Sequence, residues 1–201
     1  MIKAVIFDWG GVLIDLPTNG ILSYCSNELK VSKKDLNDSL SNHLDDFQKG
    51  KIKEKNLWDK VCKELNVQKP KNISLWYEAF ESAYSPKKDM FLLTSKLKDN
   101  YYKTGLLSNT EMPALDYFKK QNYDMFDVEV FSCEEGIAKP ERRIYDIMLS
   151  RLYVSPQEAV FIDDRPLFIA GARKLGMNTI LFSSPYQVKK ELKNLNIKLK
   201  N

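Results

Sequence analysis

Lys3-Ala4-Val5-Ile6-Phe7-Asp8-Trp9-Gly10-Gly11-Val12 opens the chain on an apolar run that ends in a carboxylate. Continuous apolar residues with Val and Ile among them predict a buried strand of a parallel sheet. An aspartate at the C-terminal end of such a strand stands where open α/β sheets keep their chemistry. Gly10 and Gly11 let the backbone turn tightly and come close to a ligand or a metal. A carboxylate is costly to bury there unless it is paired or metal-bound. The plain alternative is a turn or helix-cap aspartate.

Four later segments repeat the strand-then-turn pattern. Tyr102 to Ser108 ends in Ser108-Asn109-Thr110, and Asp127 to Ser132 alternates around Val128, Val130 and Phe131. Ala159 to Ile162 runs into Asp163-Asp164, and Thr179 to Phe182 is bounded by Ser183-Ser184-Pro185. Helical patterns separate them over 90–98, 113–121, 140–152 and 167–175, with Pro140 suited to a first helical position and Gly176 to a helix end. Strands alternating with helices predict an α/β fold: a doubly wound, Rossmann-like parallel sheet with helices on both faces.

Between about Ile21 and Tyr84 the rhythm changes. No strand is legible, and Leu57, Val61, Leu65 and Trp76, Phe80, Tyr84 share helical faces, as core residues do. The expected organisation is a core of 1–15 and 87–201 with an all-helical insertion over 16–86. The basic tail, 189–201, reads as a solvated final helix.

The chain has 201 residues, 43% hydrophobic and 29% charged, with a net charge of +4, which fits one soluble globular domain with a modest insertion. The slight positive charge suits an anionic small molecule and gives no case for nucleic acid. Cys25, Cys62 and Cys133 form neither a metal cluster nor a disulfide framework, which fits a reducing cytoplasm. No apolar run of about 18 residues predicts a membrane span, and no secretory leader is legible. The single histidine, His43, lies in a polar helical stretch and is expected to face solvent. Triads built on histidine are thereby disfavoured, and carboxylates are left to do the chemistry.

In a parallel sheet all strand C-terminal ends lie on one edge, so Asp8, Ser108, Asp163 and Asp164 surround one crevice. Clustered carboxylates repel and demand a cation, and hard oxygen ligands suit Mg²⁺. Ser108, with the amide of Asn109, can donate to a phosphoryl oxygen. Lys139, in Gly136-Ile137-Ala138-Lys139-Pro140, opens a helix and can balance the remaining anionic charge. Taken singly, Lys139 reads as a surface lysine and Ser108 as a helix cap.

Together these segments resemble the haloacid dehalogenase (HAD) superfamily of hydrolases, across essentially the whole chain. Its four motifs are matched by Phe7-Asp8-Trp9-Gly10-Gly11-Val12, Leu107-Ser108-Asn109, Lys139-Pro140 and Phe161-Ile162-Asp163-Asp164. The insertion is similar to the family's type 1 helical cap. Phe47-Gln48-Lys49-Gly50-Lys51-Ile52 resembles cap sequences of its sugar-phosphate (glucose-1-phosphate) phosphatase branch. The resemblance implies that Asp8 is the nucleophile and forms an aspartyl-phosphate. Mg²⁺ would be held by Asp8, the carbonyl of Gly10 and Asp164, with Asp163 in the first or second layer of ligands. Ser108, Asn109 and Lys139 would hold the phosphoryl group. The substrate would be a small phosphorylated molecule, and the protein a monomer or homodimer.

Two departures from the family pattern matter. Most such phosphatases carry an acid–base aspartate two residues after the nucleophile, and this chain has Gly10 there. Loss of that help costs roughly 10²–10⁴-fold. The expected substrate is therefore a phosphate with a good leaving group, such as a sugar 1-phosphate or an acyl phosphate. Asp15 is the candidate substitute, with a hinge-turn role as its plain alternative. Two other readings stand beside this one: a 2-haloacid dehalogenase, whose halide needs no proton, and a catalytically weak binding protein of the same fold. The second departure is Phe168, where related sequences often have Asn; it is expected to pack against the sheet. For substrate contacts in the insertion, Asn19 and Lys49 are the named candidates, equally readable as solvated.

Overall fold

The computed structural model describes residues 1–198. Strand β1 (Ala4–Phe7) is followed by helices α1 (Thr18–Leu29), α2 (Lys33–Ser41), α3 (Leu44–Gln48), α4 (Glu54–Glu64) and α5 (Leu75–Ala83). Helix α6 (Lys88–Asp99) leads to β2 (Lys103–Ser108), α7 (Met112–Lys120), β3 (Val128–Phe131) and the short α8 (Ser132–Glu135). Then come α9 (Arg142–Leu152), β4 (Ala159–Asp163), α10 (Pro166–Lys174), β5 (Asn178–Leu181) and α11 (Pro185–Asn194).

All strand pairs are parallel and the order is β3-β2-β1-β4-β5, which puts β1 at the centre. Successive side chains point to opposite faces of a strand, and the core divides accordingly. Val5, Phe7, Val160 and Ile162 join one hydrophobic cluster, while Ala4, Ile6, Ala159 and Phe161 join the other. Both faces of the sheet are covered, as an all-parallel sheet requires.

The helices of the insertion share the first of those clusters. Leu36, Leu57, Val61 and Trp76 belong to it together with Phe7 and Leu106. Close contact between α1 and α5 depends on Gly20, where a Cβ would lie 2.5 Å from that of Ala83. The chain enters and leaves the insertion through two adjoining segments. Ile14 bridges Pro86, Asp15 N–H donates to Ser85 O (2.8 Å), and Lys87 N–H donates to Leu13 O (2.8 Å).

Four expectations need correction. Pro140 does not start a helix: α9 begins at Arg142, after a cis Lys139–Pro140 peptide. The Asn109 side chain draws the segment away from helical geometry by bonding both main-chain groups of Lys139. Nor is the final helix a solvated rod over 189–201. It runs Pro185–Asn194 and buries Val188 and Leu192, because its apolar face packs on the sheet cluster; residues 199–201 lie outside the described part. His43 precedes α3 instead of facing solvent from a helix, and its Nε2 is hydrogen-bonded to Glu64 at 2.7 Å. A short helix, α8, follows β3 where a turn was expected. Gly176 does end α10, with φ at +87°. Among the described residues no helix is long and apolar enough to cross a membrane.

Candidate active site

Asp8 leaves the end of β1, Asp163 ends β4 and Asp164 follows it, so neighbouring strands deliver three carboxylates to one place. One oxygen from each lies within 4.8 Å of the others. Lys139 enters among them with no exposed side-chain surface. Its Nζ donates to Asp8 Oδ1 (2.8 Å), Asp163 Oδ2 (2.7 Å) and the carbonyl of Leu107 (3.0 Å). Read singly, this lysine was a surface residue; in the fold it is the buried counter-charge of the cluster.

Burial pushes the Asp8 carboxyl up to about 7 against the pull of Lys139, with Asp163 adding to the rise. Burial works against the Lys139 ammonium, and Asp8 and Asp163 more than offset it, so its pKa stands above the ordinary lysine value. Asp164 is raised as well, by burial and then by Asp163. Three carboxylates face one ammonium, and the surplus negative charge invites a cation. Asp164 Oδ1 is buried with no hydrogen-bond partner among the described residues. Gly11, at φ +90°, leaves the space that Asp164 fills, since a Cβ there would lie 2.4 Å from Asp164 Oδ2. An all-oxygen donor set with one carboxylate oxygen unclaimed fits a hard divalent cation.

Around this cluster the second and third motifs interlock. Asn109 Oδ1 accepts from Lys139 N–H (2.8 Å) and its Nδ2 donates to Lys139 O (3.0 Å). The Asn109 side chain is therefore a clamp on Lys139, which leaves its main-chain N–H as the group that can meet a ligand. Ser108 Oγ shares a 2.6 Å hydrogen bond with Thr110 Oγ1. Phe168 is buried and its ring lies 4.9 Å from Lys139 Nζ and 4.4 Å from Arg165 Cζ. It packs against the sheet, as expected, and faces two cations at once.

A cavity of about 180 Å³ opens above Asp8, Ser108, Asn109, Lys139 and Asp164, and helices of the insertion form its far wall. Gly10 lines it, whereas Asp15, Asn19 and Lys49 do not. Asp15 is exposed and bound to Lys87 (2.7 Å) and Ser85 (2.8 Å), which hold its carboxyl below the usual range. Those bonds fit the hinge-turn role and leave its carboxyl engaged away from the cavity. Lys49 pairs with Asp45 and with Glu141 across to the sheet side, and Asn19 is exposed.

Sequence reasoning missed two wall residues. Glu111 is buried in the cavity wall and accepts a hydrogen bond from Gln48 Nε2 at 2.9 Å. Burial raises its pKa, and Gln48 pulls it part of the way back. Its position directly after Ser108-Asn109-Thr110 was the available signal.

Comparison with known proteins agrees with this geometry. The chain is 30% identical over 203 residues to acyl-CoA dehydrogenase family member 10 of Mus musculus, using 96% of the chain but spanning only 19% of that protein. It is 26% identical over 178 residues to a sesquiterpene phosphatase of Aspergillus oryzae, covering 87% of each. A D-ribitol-5-phosphate phosphatase of Bacteroides thetaiotaomicron is 27% identical over 196 residues, 89% of this chain and 91% of that one. A HAD family enzyme of Bacteroides thetaiotaomicron, solved with magnesium and inorganic phosphate, shares the fold at a TM-score of 0.74 and 24% identity, over 91% of this chain and 95% of that one. Residues 2–176 match the family described as haloacid dehalogenase-like hydrolase. That match runs from β1 to the glycine after α10 and takes in the whole acidic cluster, so the chain belongs to the haloacid dehalogenase-like hydrolases.

Proposed function

We propose that the chain is a magnesium-dependent phosphomonoesterase with Asp8 as its nucleophile. The observation that supports this most is the buried Lys139 shared by Asp8 and Asp163, next to an Asp164 oxygen without a hydrogen-bond partner among the described residues. A phosphate ester would add negative charge to a cluster that already has a surplus, so the site needs a cation to accept it. Mg²⁺ would be held by Asp8, the main-chain carbonyl of Gly10 and Asp164, with Asp163 behind them. When bound it neutralises the phosphoryl oxygens.

Lys139 occupies Asp8 Oδ1, which leaves Oδ2 to attack phosphorus in line with the ester oxygen. The bond from Asp8 to phosphorus forms as the ester P–O bond breaks, and the electron pair leaves on the ester oxygen. Ser108 Oγ and the Asn109 main-chain N–H hold the phosphoryl oxygens, and the Lys139 ammonium, its three N–H groups already given to Asp8, Asp163 and Leu107 O, offsets their charge through space. Water then attacks the aspartyl-phosphate at phosphorus, giving inorganic phosphate and a free Asp8 carboxylate. With no side chain at residue 10, the departing oxygen takes its proton from water, which favours alcohols that leave well. The helices of 16–86 act as the cap that excludes bulk water. A reducing cytoplasm suits the buried thiols of Cys25, Cys62 and Cys133.

Two substrate types compete. The similarity to a D-ribitol-5-phosphate phosphatase supports the sugar-type phosphate expected from the sequence. The similarity to a sesquiterpene phosphatase supports an apolar one, and the cavity wall favours the second. A 2-haloacid dehalogenase would use Asp8 on carbon but has no use for a cluster that calls for a cation. A protein without catalysis has no use for costly buried charges.

The test is phosphate release from an aryl phosphate with Mg²⁺ and with EDTA, for the wild type and Asp8→Asn. Metal-dependent release that vanishes in Asp8→Asn supports the reading. Halide release from a 2-haloacid, without phosphate release, would replace it.

A further inference from the structure

The cavity wall above the acidic cluster says what the rest of the substrate is made of. Ile21, Leu40, Trp76, Phe80 and Ala114 are all buried residues that line it, and half-buried Leu44 joins them. Polar groups are confined to three places. The floor carries the cluster itself. The outer rim carries Thr18, Asn37 and Ser41, all exposed, and the Ser41 hydroxyl is already turned onto the Asn37 carbonyl at 2.7 Å. The wall between carries Gln48 and Glu111, which are bonded to one another at 2.9 Å, and the indole Nε1 of Trp76, buried with no hydrogen-bond partner among the described residues, while exposed Arg165 stands beside the floor.

A polyhydroxylated leaving group needs a partner for each hydroxyl it buries, and a wall of this composition has few to offer. An apolar group, by contrast, displaces water from the aliphatic and aromatic side chains and brings no hydroxyls of its own to be left unpaired. Size sets a further bound. An apolar cavity of about 150 Å³ admits benzene, and the one here is about 180 Å³. Beside residue 10 the pattern continues: the nearest atoms to a Cβ built on Gly10 belong to the side chains of Pro17 and Leu16, at 3.7 and 3.9 Å. Apolar surface therefore reaches close to the floor.

Building on the phosphatase reading, we propose that the substrate is the phosphate monoester of a compact apolar alcohol that leaves well, of the aryl kind, whose carbon skeleton rests against Leu40, Leu44, Trp76 and Phe80. Phosphate binds at the floor, and the skeleton, not a set of hydroxyl contacts, supplies recognition.

A series of n-alkyl phosphates tests this at constant leaving-group chemistry: ethyl, butyl and hexyl phosphate against glucose 6-phosphate, with an aryl phosphate as the measure of phosphatase activity itself. A methylene that enters an apolar pocket is worth roughly tenfold or more in kcat/KM, so hexyl phosphate should exceed ethyl phosphate by about a hundredfold even if only about two of its extra methylenes are enclosed. Glucose 6-phosphate should fall below hexyl phosphate. Leu44→Asn, at a half-buried position, should shrink the hexyl-to-ethyl ratio. A flat alkyl series, or glucose 6-phosphate as the better substrate, would overturn the proposal while aryl phosphate turnover keeps the phosphatase reading intact. If no ester is turned over, the phosphatase reading fails. Calorimetry on Asp8→Asn with Mg²⁺ then decides the ligand: hexyl phosphate at least tenfold tighter than glucose 6-phosphate supports the apolar site, and equal affinity overturns it.

Discussion

Asn109 holds Lys139 by both of its main-chain polar groups, accepting from the N–H at 2.8 Å and donating to the carbonyl at 3.0 Å. The lysine side chain can then reach Asp8 and Asp163 from a segment that belongs to no helix. Asn109→Ala should leave the fold in place and lower kcat by about a hundredfold, the scale on which displacements near 1 Å act on positioned groups. Steady-state kinetics beside a circular dichroism melt would check it. A variant with unchanged kcat would mean that Lys139 needs no clamp.

Gly11→Ala addresses the place prepared for Asp164. The added Cβ would lie 2.4 Å from Asp164 Oδ2, at a backbone φ of +90° that side chains avoid. The carboxylate must move, and the concentration of Mg²⁺ giving half-maximal activity should rise roughly 10–100-fold, as when the supports of a metal ligand are lost. The rise in melting temperature produced by Mg²⁺ in the wild type should shrink in parallel.

Gly10→Asp is the constructive counterpart. No positive φ constrains the residue, and the nearest atoms to a Cβ there are at ordinary contact distance. The carboxyl would supply the missing acid, so alkyl phosphates should gain about 10²–10⁴-fold in kcat while aryl phosphates, which leave without protonation, gain little. Equal gains on both classes would show that the new group acts on something other than the leaving oxygen.

Glu111 makes a prediction with a sign. Burial raises its folded pKa above the ordinary 4.5. Its contribution to stability is therefore complete below that value and is lost as the pH climbs through the folded pKa. Glu111→Gln keeps the size of the side chain and cannot ionise. Its melting temperature should exceed that of the wild type in mildly alkaline buffer, and the gain should fade toward 4.5. A difference that ignores pH would refute the account.

What could be read from the sequence follows from how information is stored in it. Asp8, Ser108, Asp163 and Asp164 were legible because each closes an apolar run, and parallel strands bring such ends to one edge. The path of Lys139 was not, since proline is welcome in a first helical turn and the bonds that decide otherwise come from Asn109, far back in the chain. Glu111 precedes α7, where an acidic residue ordinarily faces water and complements the helix dipole. Its burial depends on Gln48 at the end of α3. His43 is the same case, being held by Glu64 across the insertion. Helical periodicity marked the stretch after β1 as helical but carried no word of which apolar faces would line a cavity and which would pack together.

The ring of Trp9, one residue beyond the nucleophile, sits 5.0 Å from Phe80 in α5 and 5.1 Å from Phe118 in α7. The inserted helices are thus not an accessory that could be unplugged to leave a working catalyst. Their removal would strip one side of the ring beside the reacting aspartate and open the cluster that also holds Phe7 and Leu106. Anyone grafting a foreign helical insert onto this sheet to change its substrate inherits a condition: the newcomer must present an aromatic where Phe80 stands, or the loop carrying Asp8 loses the surface it is cast against.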